Sequence, residues 1–539
     1  MKVVLINPYE IGRQPFGLAE PAAWLKRAGC EVHCLDLTLQ RLDPEVLRGA
    51  RLVAIYVAMH TATRIAMEAI PRVLAIVPGA HLCVYGLYAP MNEKLLRDLG
   101  AQTVLGGEVE PALVSLVERL RAGESAIATH QVTGRKPQTG LPWPATLASI
   151  RSATSEGANG PSLARALRFN PLAEASRASV TSRGCRTRVP GVPPISSPIG
   201  DGQVQTEPVV NLSKIEFMIP DRASLPPLER YAHLQLPDGS RKTVGFAEGS
   251  RGCKHLCRHC PVVPVYQGAF RVIPVDTVMA DVRQQVAAGA RHISFGDPDF
   301  LNGPPHAHRL VQALHAEFPN VSYDATIKIQ HLIDHAQTLP ELKSTGCLFI
   351  TAAVESVDDR VLERLAKNHT NADFARAVAL CRAAGIALAP TFVAFTPWTT
   401  LEGYIALLQR LLELDLVESV PPIQLAIRLL IPQGSLLLEL TGFQALIGEF
   451  DPRLLGFPWA NPDPRVDRLQ LAVQQQVVTG EVENISRRGI FASIWKLAHE
   501  ALGVKPPELA DSGQGMPIPR LSEPWYCCAE PTHQQLQSF

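Results

Sequence analysis

The sequence predicts an α/β protein, and three observations carry that prediction. Short apolar runs alternate with amphipathic segments from residue 1 to about 120, the pattern of layered strands and helices. The same alternation begins again near Leu228 and continues to about 440. Between the two, over 122–215, Ser, Thr, Pro, Gly and Arg dominate, a composition suited to an insertion or linker rather than to a packed core.

The first block reads in order as Val3 to Ile6 (strand), Ala19 to Ala28 (helix), Glu31 to Leu35 and Leu52 to Val57 (strands), Thr63 to Ile76 (helix), then His81 to Tyr85 and Thr103 to Leu105 (strands). This is a doubly wound pattern, assigned to residues 1–121. Ligands of such sheets bind outside the carboxyl ends of the strands, which brings Asn7, Pro8, Gly106, Gly107 and Glu108 to the edge where a site would lie. The insertion contains Cys185, read as incidental because a segment without tertiary support cannot hold a ligand in place. A second α/β domain spans 228–440, and 441–539 forms a C-terminal extension.

At 539 residues, with 46% apolar and 19% charged residues, the chain is long enough for two to four globular domains. Lys plus Arg and Asp plus Glu both number 51, so no net field draws the chain to nucleic acid or to anionic lipid. No apolar run approaches the roughly 18–20 residues that span a bilayer. Met1 to Pro8 reads directly as a buried strand, without a secretory signal. A cytoplasmic location is expected, and in that reducing compartment cysteines serve metals or catalysis.

The most informative segment is Gly252-Cys253-Lys254-His255-Leu256-Cys257-Arg258-His259-Cys260. Its CxxxCxxC spacing lets three thiolates converge on one inorganic centre. Zinc also accepts Cys and His, but structural zinc sites usually need a second ligand pair, and none follows at a suitable distance. A [4Fe–4S] cluster normally takes four thiolates, so three of them leave one iron open. In order and spacing the motif resembles that of the radical S-adenosylmethionine (SAM) superfamily. The resemblance implies that Cys253, Cys257 and Cys260 hold the cluster and that the open iron chelates SAM. It also implies a partial (β/α)6 barrel over 228–440, with its chemistry at the carboxyl ends of the strands. Phe246 to Ser250 is then the first strand, followed directly by the cluster loop. An external one-electron donor such as a flavodoxin or ferredoxin is implied as partner, together with a small-molecule substrate.

Further segments resemble the superfamily's SAM contacts. Gly296-Asp297-Pro298-Asp299 follows the strand His292 to Phe295 and is similar to the acidic loop that receives the SAM amino group, a charge-assisted contact. Either aspartate alone reads equally as a turn former. Glu355-Ser356, after Leu348 to Val354, resembles the fourth-strand motif that holds the ribose or carboxylate of SAM. Arg428, alone in the apolar run Leu425 to Leu430, needs a carboxylate partner. That partner is either a ligand carboxylate or a structural salt bridge. Pro432-Gln433-Gly434-Ser435 resembles the turn that commonly follows this strand, and Lys328 and Lys367 are weaker candidates, of a type more often solvated than functional. The first domain, with Asn7-Pro8 and Gly106-Gly107-Glu108, looks like the cobalamin-binding-type domain found ahead of many such cores. Cobalamin itself does not follow from the resemblance: the DxHxxG signature is absent, and many relatives in this position bind cobalamin without it or have lost the ligand.

Near the end of the chain stands Trp525-Tyr526-Cys527-Cys528-Ala529-Glu530-Pro531. Adjacent cysteines seldom form a relaxed disulfide. With the cluster motif upstream, the arrangement resembles the radical SAM family defined by a CUAEP or CCAEP tail, some members of which carry selenocysteine at the position matching Cys528. Enzymes of this type include the one that begins arsinothricin biosynthesis. The resemblance implies transfer of the 3-amino-3-carboxypropyl group of SAM to arsenite, with Cys527 and Cys528 as catalytic thiols holding trivalent arsenic, a soft partner for soft ligands. A conventional 5′-deoxyadenosyl-radical enzyme, or a cobalamin-dependent methyltransferase acting on a small metabolite, is the alternative. A thiol sensor would need a recognition surface, and no basic recognition helix is visible.

Overall fold

The computed structural model describes residues 1–123, 209–509 and 518–523. The first sheet comprises β1 (Lys2–Asn7), β2 (Glu31–Asp36), β3 (Leu52–Tyr56), β4 (His81–Tyr85), β5 (Thr103–Gly107) and β6 (Val209–Asn211), in the order β2-β1-β3-β4-β5-β6 and parallel throughout. Both faces are covered, which is why its strands are continuous apolar runs. Val4, Ile6, Val53 and Ile55 pack toward the helix His60–Ile76, while Val3, Leu5, Leu52 and Ala54 pack toward the helices Phe16–Arg27 and Glu110–Ala122. The strand order reverses between β1 and β3, a topological switch point whose crevice opens at the carboxyl ends.

β6 belongs to this sheet although it falls within the stretch read as insertion. Gly107 makes the pairing possible: its φ is +72°, and a Cβ there would press into the carbonyl oxygen of Asn211.

The second sheet is built from β7 (His233–Gln235), β8 (Arg241–Ala247), β11 (His292–Phe295), β12 (Ser322–Thr326), β13 (Cys347–Glu355), β14 (Ala387–Phe392) and β15 (Arg520–Leu521). Its order is β14-β13-β12-β11-β8-β7-β15. The run from β8 to β14 is parallel, each strand beside its sequence neighbour with a helical crossover between, which gives a curled half-barrel. The helices Pro464–Val482 and Arg487–Leu502 join the same hydrophobic core through Leu469, Val473, Ile494 and Trp495. Both sheets, with all the described residues, fall within one structural unit.

Two expectations change. The first barrel strand ends at Ala247, and the chain then enters a separate two-stranded antiparallel ribbon, β9 (Ser250–Gly252) with β10 (Phe270–Val272), before and after the cluster loop. The expected strand over Leu425 to Leu430 is instead a 3₁₀ turn, Pro422–Leu425, with a single bridge from Phe395 to Arg428. Phe395 N donates to Ile427 O and Leu429 N donates to Phe395 O, and the pairing extends no further among the described residues. No helix among the described residues is long and apolar enough to cross a membrane.

Candidate functional site: a three-cysteine loop at the barrel mouth

The ribbon closes the cysteine loop at its base, pairing Gly252 with Phe270. Gly252 has φ +72°, and a Cβ there would collide with the carbonyl of Ala269, so only glycine lets the loop turn into Cys253. The loop is held from outside as well. Arg258 N donates to Leu365 O at 3.0 Å, its Nη1 donates to the carbonyls of Glu363 (3.0 Å) and Arg364 (2.9 Å), and Ser435 Oγ donates to Arg258 O at 2.9 Å. The turn Pro432-Gln433-Gly434-Ser435 therefore acts on the loop directly.

Cys253, Cys257 and Cys260 take part in no disulfide. Cys257 is buried, and Lys328 Nζ lies 3.6 Å from its sulfur. Lys367, also buried, has its ammonium held above the ordinary lysine range: burial opposes the charge, but Glu355 and the thiols of Cys257 and Cys260 outweigh it. Both lysines are of a type more often solvated than functional; here they place positive charge beside the thiols. Soft sulfur ligands on one loop with buried cations around them fit an iron–sulfur cluster, whose ligands must be thiolates. Burial pushes the Cys253 thiol upward, a cost that metal ligation would offset.

The remaining predicted positions surround this loop. Gly296 follows β11, donates its N–H to Ala247 O at 2.9 Å and lies against the Phe246 ring. Asp297 is buried; it accepts from Gly249 N at 2.9 Å and from Ser250 Oγ, and burial pushes it up to about 6. It thus locks the hinge between β8 and β9. Asp299 is fully buried and faces two imidazoles, His255 and His331; burial would raise its pKa, but their contacts hold it at about 2.

Glu355, at the end of β13, has φ +70°, a strained value for a residue with a side chain. Its Oε1 lies 3.3 Å from Lys367 Nζ and 3.2 Å from His259 Nε2. Burial opposes ionisation, yet Lys367 and His259 hold the carboxyl at about 2. Ser356 Oγ accepts from Asp358 N at 3.1 Å and shapes the turn into the next helix. For Arg428 the geometry supplies the salt bridge: Nη1 donates to Asp467 at 2.8 Å, Nη2 to the carbonyl of Trp459, and the guanidinium lies over the Trp459 ring. Cys347 and Cys381 are buried free thiols away from the loop. Cys527 and Cys528 lie outside the described residues.

Sequence reasoning missed a charge cluster between the two sheets. Arg251, just before the cysteines, contacts Glu20, Glu108 (2.9 Å), Glu110 (2.8 Å) and Glu248 (3.1 Å). One cation cannot neutralise four carboxylates, so protons must share the task. Burial, opposed by Arg251, pushes Glu20 well up and Glu248 up to about 7; Glu108 is raised for the same reason. This cluster borders an open cavity of about 160 Å³ whose walls come from both domains. Tyr56, Tyr85 and Gly107 line it from the carboxyl ends of β3 to β5; Glu248, Tyr266 and Gly296 line it from the barrel.

Residues 248–398 match the sequence profile of the Radical SAM superfamily. The chain is 26% identical over 182 residues to the ribosomal protein uS12 methylthiotransferase RimO of Geobacter sulfurreducens, covering 31% of this chain and 39% of that protein. It is also 26% identical over 197 residues to the tRNA-2-methylthio-N(6)-dimethylallyladenosine synthase of Pasteurella multocida, covering 34% and 40%. The matches thus span about two fifths of these relatives' length. Among solved structures, the radical SAM methyltransferase TsrM from Kitasatospora setae, with cobalamin and a [4Fe-4S] cluster bound, superposes with TM-score 0.53 at 18% identity, over 77% of this chain and 70% of that one. The cobalamin-dependent SAM radical enzyme OxsB, with aqua-cobalamin and SAM bound, gives 0.59 at 12% identity, over 89% and 67%. The chain therefore carries a radical SAM superfamily domain, built behind a Rossmann-like domain in the fold of cobalamin-dependent radical SAM enzymes.

Proposed function

We propose that this enzyme transfers the 3-amino-3-carboxypropyl group of SAM to arsenite, forming a carbon–arsenic bond of the kind found in the antibiotic arsinothricin. The observation that carries the reading is the vicinal pair Cys527-Cys528 within the Cys-Cys-Ala-Glu-Pro tail, on a chain whose three-cysteine loop suits a site-open cluster. When bound, the [4Fe–4S] cluster supplies the electron for reductive cleavage of a carbon–sulfur bond of SAM.

The chain's own residues do the rest. Cys253, Cys257 and Cys260 hold the cluster, while Lys328 and Lys367 offset its negative charge. Gly296 lines the cavity beside the loop, and the carboxylates of Asp297 and Glu355 with Ser356 shape the side where SAM's ammonium and ribose would bind. Arg428 supports that wall through Asp467. Cys527 and Cys528 hold arsenite as substrate. One carbon–sulfur bond breaks and one carbon–arsenic bond forms, methylthioadenosine leaves, and arsenic goes from trivalent to pentavalent. The electron that enters at cleavage is returned by the arsenic, so the transfer is redox-neutral.

The test is mass spectrometry after anaerobic incubation of reconstituted, reduced protein with SAM, with and without arsenite. Methylthioadenosine appearing together with an arsenic-bearing aminocarboxypropyl product supports the reading. 5′-Deoxyadenosine formed regardless of arsenite removes it.

The cavity at the carboxyl ends of β3 to β5, facing the cysteine loop, favours a second reading: cobalamin-dependent methyl transfer to a small metabolite. Its described lining contains glycine, tyrosine and carboxylates but no histidine, so a corrin there would be held without a cobalt–histidine bond. Bound corrinoid and a methylated product in the same assay would select this alternative.

A further inference from the structure

Three elements bring metal-type ligand atoms to one point beside the cysteine loop. His255 comes from the loop itself, Asp299 from the segment after β11, and His331 from the helix Ile329–Asp334. His331 Nδ1 lies 2.7 Å from Asp299 Oδ2 and His255 Nε2 lies 3.3 Å from the same oxygen. The three atoms all fall within 4.8 Å of one another.

Their surroundings are those of a ligand set rather than of a hydrogen-bond network. Asp299 is fully buried, and the two imidazoles are only 15% and 20% exposed. Both ring nitrogens stand at ion-pair distance from Oδ2, yet none of the three atoms has a well-directed hydrogen bond. A buried polar atom left unsatisfied is costly, so three convergent ones call for a shared partner. The other oxygen, Asp299 Oδ1, accepts from Lys328 N at 3.3 Å. This fixes the carboxylate in the way outer-shell hydrogen bonds orient metal ligands.

We propose that His255, Asp299 and His331 form a metal site separate from the cysteine cluster, taking one divalent first-row transition ion of the zinc or ferrous class. Two imidazoles and a carboxylate are the nitrogen and oxygen donors such ions accept, and three protein ligands leave a position open for water or a substrate oxygen. The ion ties the cysteine loop to the segment after β11 and to the following helix. It does not depend on the arsenic reading or on the identity of the substrate.

The test uses full-length protein in which Cys253, Cys257, Cys260, Cys527 and Cys528 are all replaced by alanine, titrated anaerobically with Co²⁺ and followed by visible absorption. One Co²⁺ per chain with ligand-field bands and no thiolate charge transfer is expected, and adding His331→Gln should weaken binding tenfold or more. No stoichiometric Co²⁺, a thiolate-type spectrum only, or a titration unchanged by His331→Gln overturns the proposal. A second measurement needs no cysteine replacement: cluster-loaded wild type and His331→Gln are equilibrated with Zn²⁺ and their metals counted. One zinc fewer per chain in the variant, at equal iron, is expected; equal zinc in the two proteins overturns the site.

Discussion

Lys367 sets its Nζ 3.3 Å from Oε1 of Glu355, and the two side chains are only 3% and 8% exposed. The pair lies behind the cysteine loop, with His259 on its other side. Removing one partner of a buried pair leaves an uncompensated charge, at a cost of about 3–5 kcal/mol. Lys367→Met should therefore lower stability by about that much in urea unfolding. The double variant Lys367→Met with Glu355→Gln should recover most of the loss. A single variant that unfolds like wild type would mean that the pair carries no net electrostatic weight.

Arg251 joins the two domains through ion pairs and through its guanidinium over the Phe16 ring. Its contacts to Glu20, Glu108 and Glu110 reach into the first domain, while Glu248 belongs to the barrel. Arg251→Lys should behave almost as badly as Arg251→Ala, because one ammonium cannot fork between several carboxylates. Limited proteolysis reads the outcome: both variants should be cleaved faster than wild type between the two domains. A lysine variant as resistant as wild type would show that charge, and not geometry, suffices there.

Glu248 supplies a pH dependence with a defined sign. Burial, only partly opposed by Arg251, raises its pKa to about 7. Between the ordinary carboxylate range and pH 7 the unfolded chain has lost this proton and the folded chain keeps it. Stability must then fall as pH rises through that window and level off above it. Each tenfold difference in proton affinity between the folded and unfolded chain corresponds to about 1.4 kcal/mol, so a slope totalling ~1–3 kcal/mol is expected. Glu248→Gln should flatten the Tm-against-pH curve over this window. A slope that survives the substitution would assign the effect to another buried carboxyl, among them Asp297, Glu20 and Glu108.

The first domain was legible because burial on both faces writes a β strand as an unbroken apolar run; β1, β3 and β4 begin and end within one or two residues of their predicted bounds. The charge cluster was not, although traces of it stand in the sequence. Glu20 interrupts the apolar helix Phe16–Arg27, and Arg251 sits in the ribbon next to the cysteines. Each looks ordinary alone, because their meaning lies in contacts across 231 positions of sequence. Lys328 and Lys367 were hidden in the same way: a lysine reads as solvated until tertiary packing buries it beside a thiol.

Among the described cysteines, only those of the loop should matter for iron. Cys260→Ala should lose the cluster, measured as bound iron and sulfide after anaerobic reconstitution, and SAM cleavage should fall to background. Cys381, buried on the helix Asn371–Ala383, provides the contrast. Cys381→Ala should keep full iron and cost only about 1 kcal/mol of stability, the scale of a small buried truncation. Iron retained by Cys260→Ala would move a cluster ligand elsewhere.

Cys528 decides the arsenic reading. If Cys527 and Cys528 hold arsenite together, Cys528→Ser replaces a soft thiolate by a hard hydroxyl and removes half of the chelate. Arsenite binding, measured by elemental analysis of gel-filtered protein, should fall tenfold or more. The arsenic-bearing product should fall with it, while iron content stays at the wild-type level because the loop cysteines are untouched. That separation is the informative part, since a general folding defect would lower both. Arsenite binding and product unchanged in Cys528→Ser would exclude the tail as the substrate's anchor, and would leave the cavity between the two sheets as the place to look for substrate.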